Sequence, residues 1–169
     1  MGKNPYPSAG IIDSQSTKTV LKGDYMGFDG NKIIKGVKRN ILVDTNGLVI
    51  SNYVTPANMS DKEGAKRVIG GIQFRTPRLT KIWADCGYGG SDLKREFLNN
   101  SYDLEVVKRP GKEFKIVGWR WIVERTFAWL DQNRRMSKDY ERYPQSSETM
   151  IEICMIRLML KRLRKYQDF

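Results

Sequence analysis

The sequence contains no histidine and only two cysteines, Cys86 and Cys154. The first absence excludes Ser-His triads, histidine general bases and histidine-ligated zinc or iron. The second excludes a four-thiolate metal site and a disulfide framework. No stretch resembles a signal peptide, and the longest apolar run, residues 153–160, is interrupted by Arg157 and far too short to span a bilayer. Negative charge is also scarce: nineteen Asp and Glu face thirty Lys and Arg, a net charge of +11. Together these features predict a cytoplasmic protein with a polyanionic partner, nucleic acid first and anionic membrane second. If the chain is an enzyme, its expected tools are carboxylates and a hard cation. With 40% hydrophobic and 29% charged residues, a chain of 169 residues has the composition of one globular domain with a real core.

Residues 1–8, "MGKNPYPS", are punctuated by Pro and Gly and predict an irregular lead-in. "AGIIDSQSTKTV" predicts a strand with Asp13 near its middle or end. Residues 36–55 predict a β-hairpin turning at Asn46-Gly47, with Asp44 capping the turn. Ser60 and Glu63 form a capping-box pattern that opens a helix. A strand "LTKIWAD", a helix "SDLKREFLNN" and a strand "DLEVVKR" follow. A basic loop at residues 110–115 then leads to a helix expected to run to about Tyr140. A last helix, about residues 146–166, is apolar nearly all round in its middle and must be buried or pair with another surface. Three strands followed by alternating helices and strands imply an α/β fold, a mixed sheet flanked by helices. The ribonuclease H fold has this order of elements, although periodicity alone does not single it out.

Three carboxylates could carry chemistry. Asp13 follows "AGII" and Asp85 follows "KIWA", each where an apolar strand gives way to small or polar residues. Such positions face the crevice where open α/β sheets place ligands, but each aspartate could equally cap a turn. Glu124 lies in "GWRWIVERTFAWLDQNRR", just beyond the face on which Trp119, Ile122, Val123, Thr126, Phe127 and Leu130 gather at 100° per residue. It shares a stripe with Arg120, Asp131 and Arg135, so a surface ion pair with Arg120 would explain it without function. Taken together, two aspartates on adjacent strands and a glutamate on a covering helix could converge on one point. Clustered carboxylates repel unless neutralised, and oxygen-only ligands select Mg²⁺ or Mn²⁺. Two such ions can clamp the attacking and leaving oxygens of a phosphoryl transfer without any histidine.

The segments "SAGIIDSQSTKT", "GNKIIKGVKRNILVDTNGLVISNYVTPANMSDKEGA", "KIWADCGYGG" and "RWIVERTFAWLDQNRRMSKDYE" closely resemble the catalytic domain of DDE-type transposases of bacterial insertion sequences, in the insertion-sequence-five group. They cover nearly the whole chain in the family's order. The resemblance implies a ribonuclease H-like fold over residues 1–169, with Asp13, Asp85 and Glu124 as catalytic residues and ligands of Mg²⁺ (or Mn²⁺), two ions in all. It implies that Arg120 matches the arginine of the family's helix signature. Arg120 and Arg125 are then expected to bind phosphates or balance charge. Lys108, Arg109, Lys112 and Lys115, just ahead of that helix, are expected to line the approach of DNA.

The sequence departs from the family pattern in several places. Val117 stands where a tyrosine is expected, and Asp131 where a lysine is expected, so no DNA contact carries over to position 131. Asn40 and Ser60 stand where relatives often have histidine, and Cys86 replaces a common Gly or Lys. Asp13 falls only a dozen residues into the chain, whereas relatives carry an N-terminal helical region that helps recognise element ends. A frameshift product, a decayed copy and a truncated gene are all consistent with this.

The resemblance thus predicts an enzyme that cleaves DNA ends and joins them to double-stranded target DNA. A separately encoded or frameshift-joined N-terminal part and further copies of the chain are the expected partners. Two alternatives stand beside it: a metal-dependent nuclease without strand transfer, and a non-catalytic DNA-binding remnant.

Overall fold

In the computed structural model, residues 4–20, 25–70, 72, 75–107 and 119–167 are described. The expected basic loop, with Lys108, Arg109, Lys112 and Lys115, lies outside them. The strands are β1 (Ala9–Lys18), β2 (Gly27–Asp29), β3 (Ile34–Asp44), β4 (Val49–Pro56), β5 (Lys81–Ala84) and β6 (Asp103–Val106). The helices are α1 (Asp61–Gly70), α2 (Ser91–Asn99), α3 (Arg120–Asp131) and α4 (Pro144–Gln167).

The sheet runs β2-β3-β1-β5-β6, with β4 also pairing β3. β1 and β3 are antiparallel over nine residue pairs, from Gly10 opposite Asp44 to Lys18 opposite Gly36. β5 joins the other side of β1 in parallel, with Ile11 opposite Trp83, and β6 continues in parallel. The result is the mixed sheet expected from the sequence. The short edge strand β2 was not expected, because three residues are too few for a periodicity to register.

β1 alternates sides strictly enough to divide the core in two. Ile12 points with Leu42, Ile82 and Leu104 into a cluster closed by Val68 and Ile69 of α1 and by Leu93 and Phe97 of α2. Ile11 points with Val37, Ile41 and Val43 into a second cluster, closed by Ile122, Val123, Phe127 and Leu130 of α3 and by Ile151 and Met155 of α4. With helices on both faces, residues 36–43 of β3 are buried without a break, as a central strand requires.

Half of the capping box forms: the Glu63 N–H donates to Ser60 Oγ at 3.2 Å, while the Glu63 carboxylate lies 3.6 Å from both Lys66 and Arg67. α3 is shorter than expected. It ends at Asp131, and the chain turns through a 3₁₀ segment at Arg134–Met136 instead of continuing to Tyr140. Two interactions enforce the break. The Asn133 side chain donates to the Trp129 and Leu130 carbonyls, and buried Arg39 draws the Met136 and Lys138 carbonyls inward at 2.9 and 3.3 Å. At the other end Trp119 is not on the buried face. It precedes the helix in the left-handed region (φ 71°), half exposed, with its ring stacked on Trp83 at 5.4 Å.

The hairpin turn anchors α3 over the sheet. Asp44 Oδ1 accepts from the Asn46 and Leu48 amides at 2.8 Å each, the turn cap the sequence implies. Thr126 Oγ1 donates to the Gly47 carbonyl at 2.8 Å, and Arg125 donates to the Asn46 carbonyl at 3.1 Å. Gly47 sits at φ 81°, and a Cβ there would come within 2.8 Å of Thr126 Oγ1 and 2.9 Å of the Trp129 ring. Gly47→Ala should therefore cost about 2 kcal/mol of stability, measured by urea unfolding, since strain and crowding add.

Candidate active site

The parallel pairing of β1 with β5 brings Asp13 and Asp85 together. Asp13 lies on the face of β1 that α3 covers, two residues beyond Ile11, which pairs with Trp83 of β5. Asp85 follows β5 directly and opens the 3₁₀ turn Cys86–Tyr88. Its Oδ1 accepts from the Gly87 amide at 2.8 Å, so the turn-capping role is real. That leaves Oδ2 free to face Arg120, whose guanidinium lies 3.6 Å away. One carboxyl thus serves the turn with one oxygen and the site with the other.

Asp13 has its pKa pushed up to about 6, chiefly by burial. The Ser14 amide, donating to Oδ1 at 2.8 Å, opposes this, the Asp85 charge adds to it, and Arg120 and Lys32 counter it. Asp13 and Asp85 therefore feel each other's charge, and Arg120 is one of the cations that temper the repulsion.

Among the described residues, Glu124 is linked to the site through Arg120. The guanidinium is 3.5 Å from Glu124 Oε1, the i,i+4 pair visible in the sequence, and 3.6 Å from Asp85 Oδ2. Arg120 is largely buried, with 15% of its side chain exposed, whereas Glu124 keeps 59%. Such a pair is worth little by itself, but a bridging arginine between two carboxylates is held from both sides. Among the described residues, no three Asp, Glu or Cys side chains are grouped closely enough to hold a metal ion. The structure brings Asp13 beside Asp85, and it places Glu124 across Arg120 from them.

Arg125 has intramolecular partners. Its guanidinium lies between the rings of Trp121 and Trp129, at 4.4 and 4.6 Å, and bonds the hairpin turn. Asp131 accepts from Gln15 at 2.9 Å and lies 3.8 Å from Arg39, so this departure from the family pattern is used in bracing α3 against β1 and β3. Arg135, beyond the helix end, pairs with Glu141 at 2.8 Å instead of joining the Glu124 stripe.

Sequence reasoning missed the polar layer on the opposite face of the same strands. Ser14 Oγ and Lys38 Nζ both donate to Asp61 Oδ1, at 2.7 and 2.8 Å, and Lys38 also donates to the Met59 carbonyl at 2.8 Å. Ser16 Oγ donates to Asp29 at 2.5 Å. Tyr88 is buried beside this layer, its hydroxyl pKa pushed well up by burial and by the nearby Asp13 and Asp61. The signal was present in the period-two "S-Q-S" of β1, polar residues on a strand too central to expose them.

With this geometry in view, comparison with known proteins is decisive. The sequence pattern of the family described as "Transposase DDE domain" matches residues 5–159. The chain belongs to that family. A curated relative, "Putative transposase for insertion sequence element IS402" of Burkholderia cepacia, is 30% identical over 117 residues, covering 63% of this chain and 54% of the relative. The chain thus spans about half the length of that relative. Among solved structures, the catalytic core domain of BIV integrase superimposes with a TM-score of 0.50 at 11% identity, covering 88% of this chain and 81% of that one. A chain of the simian T-cell lymphotropic virus intasome gives a TM-score of 0.50 at 12% identity, over 92% of this chain and 49% of that one. At such identities the likeness concerns the fold, which is ribonuclease H-like.

The raised pKa of Asp13 carries a sign that can be measured. A carboxyl of ordinary pKa when unfolded and about 6 when folded favours folding while protonated, and that contribution is lost as pH rises from 3.8 through about 6. Asp13→Asn, neutral at every pH, should therefore stabilise the metal-free chain by about 1–3 kcal/mol above that window and hardly at all below it. Thermal unfolding of both proteins across pH, with chelator present, checks this.

Proposed function

We propose that the chain is the catalytic part of an insertion-sequence transposase that cleaves DNA ends and joins their 3′-hydroxyls to target DNA. The observation that carries this reading is the desolvated Asp13 beside Asp85, tempered by Arg120, in a chain of the Transposase DDE domain family. A desolvated carboxyl beside a second one favours a cation between them, and hard oxygen donors favour Mg²⁺ or Mn²⁺. The donor set therefore fits the ions implied by the family. Asp13, Asp85 and Glu124 are the residues that would hold them, two ions in the arrangement we favour. When bound, such ions stabilise charge on the attacking and leaving oxygens of an in-line displacement.

The chain's own residues supply the rest. Asp85 is fixed by the Gly87 amide, so its outward oxygen needs little reorientation. Asp13 gives up a proton more reluctantly than an ordinary carboxyl and gains most from a neighbouring cation. Arg120 must loosen its hold on Glu124 for the three carboxylates to act together, which frees its guanidinium for a DNA phosphate. We assign Lys108, Arg109, Lys112 and Lys115 to the DNA approach on charge and on their position before α3. Double-stranded DNA, an N-terminal end-recognition part and further copies of the chain complete the proposed assembly, in the bacterial cytoplasm.

The test is Asp85→Asn in the complete transposase with cognate end DNA and Mg²⁺ or Mn²⁺. Cleavage and joining should fall by about 10³-fold or more, while DNA binding survives or strengthens because negative charge has left a phosphate-facing site. Cleavage persisting in the variant would overturn the carboxylate assignment. Wild-type protein that binds this DNA without cutting it would leave only a binding role.

A further inference from the structure

α4 buries one face and leaves another unpartnered. Ile151, Cys154 and Met155 face the core, while Ile153, Ile156, Leu160 and Leu163 are 50, 51, 61 and 60% exposed. The exposed four follow the spacing 3, 4, 3, which is the a, d, a, d seam of two heptads. The stripe is narrow, a coiled-coil seam and not the broad face of a helix docked on a sheet.

We propose that this seam pairs in parallel with α4 of a second copy of the chain. In that register Ile153 and Leu160 are a positions, Ile156 and Leu163 are d positions, and Glu152 (g) falls opposite Arg157 (e) of the second copy. Symmetry gives two Glu152–Arg157 pairs of opposite charge, while the Arg164 stem of one copy covers Met159 of the other. An antiparallel pairing would instead set Arg157 against its own symmetry mate. Charge complementarity at Glu152 and Arg157 therefore favours a second copy in the parallel direction, against the like charges of Lys161, Arg162 and Arg164 near the C-terminal end of α4.

The present contacts of these flanking residues leave room for the pairing. Among the described residues Glu152 accepts from Asn52, at 3.4 Å, and Arg157 donates to Asn133 at 2.6 Å from a guanidinium with further donors. Two heptads would be too short for isolated peptides, but α4 is already folded along its core-facing side, so pairing does not have to pay for helix formation. The seam lies outside the carboxylate site, and its pairing does not depend on the proposed chemistry.

Sedimentation equilibrium of the full chain, at physiological ionic strength and with chelator, reads this out. The wild type should self-associate to a dimer. Leu160→Glu should abolish dimerisation while far-UV circular dichroism and the melting curve of the monomer stay unchanged. Arg157→Glu should weaken the dimer about ten-fold by placing like charges across the seam, and Glu152→Lys combined with Arg157→Glu should restore it. A wild type that stays monomeric, or a dimer indifferent to Leu160→Glu, overturns the proposed surface. A seam dimer that the double exchange fails to restore overturns the parallel register.

Discussion

The burial of Asp13 beside a second carboxyl, Asp85, is the constraint around which the site is arranged. β1 and β5 are neighbouring strands that pair in parallel, and that pairing brings the largely desolvated Asp13 carboxyl beside the part-exposed Asp85. Burial raises the Asp13 pKa to about 6, and the neighbouring carboxylate adds to the rise. Nothing in the core requires an aspartate there; an apolar residue at position 13 would pack against α3 as Ile11 does. A buried acidic group beside a second carboxyl is the kind of departure from foldability found where chemistry is done.

Arg120 is the counterweight. Standing between Asp85 and Glu124, it supplies the positive charge that a cation would supply, and it spaces the glutamate from the aspartates. Its position is imposed by the start of α3, where left-handed Trp119 is stacked on Trp83 of β5 and the hairpin turn grips Thr126 and Arg125 from the other side. Packing at the start and middle of α3 thus fixes where Glu124 and Arg120 stand relative to the strands.

Much of this was legible in the sequence because its signals were local or periodic. The Asn46-Gly47 hairpin, the Ser60–Glu63 cap, the two aspartates after apolar strands and the Arg120–Glu124 spacing all depend on neighbours within a few positions. What was not legible depends on contacts between distant segments. The early end of α3 comes from Arg39, nearly a hundred positions away, bonding the Met136 carbonyl. The exposure of Trp119 comes from its stacking on Trp83, and the diversion of Arg125 from solvent comes from two tryptophan rings and a turn carbonyl. The Ser14–Lys38–Asp61 layer required knowing that β1 and β3 pair and that α1 covers them.

If Arg120 occupies the role of a cation beside the acidic pair, removing it should make that pair more receptive to one. The direct measurement is the Mn²⁺ affinity of the wild type and of Arg120→Ala, without DNA, followed by titration calorimetry at a pH above the Asp13 pKa. Arg120→Ala should bind Mn²⁺ more tightly, by about ten-fold, since a competing positive charge within 4 Å of the carboxylates is gone. Equal or weaker binding in Arg120→Ala would contradict the account of Asp13, Asp85 and Glu124 as a metal site held in balance by an arginine.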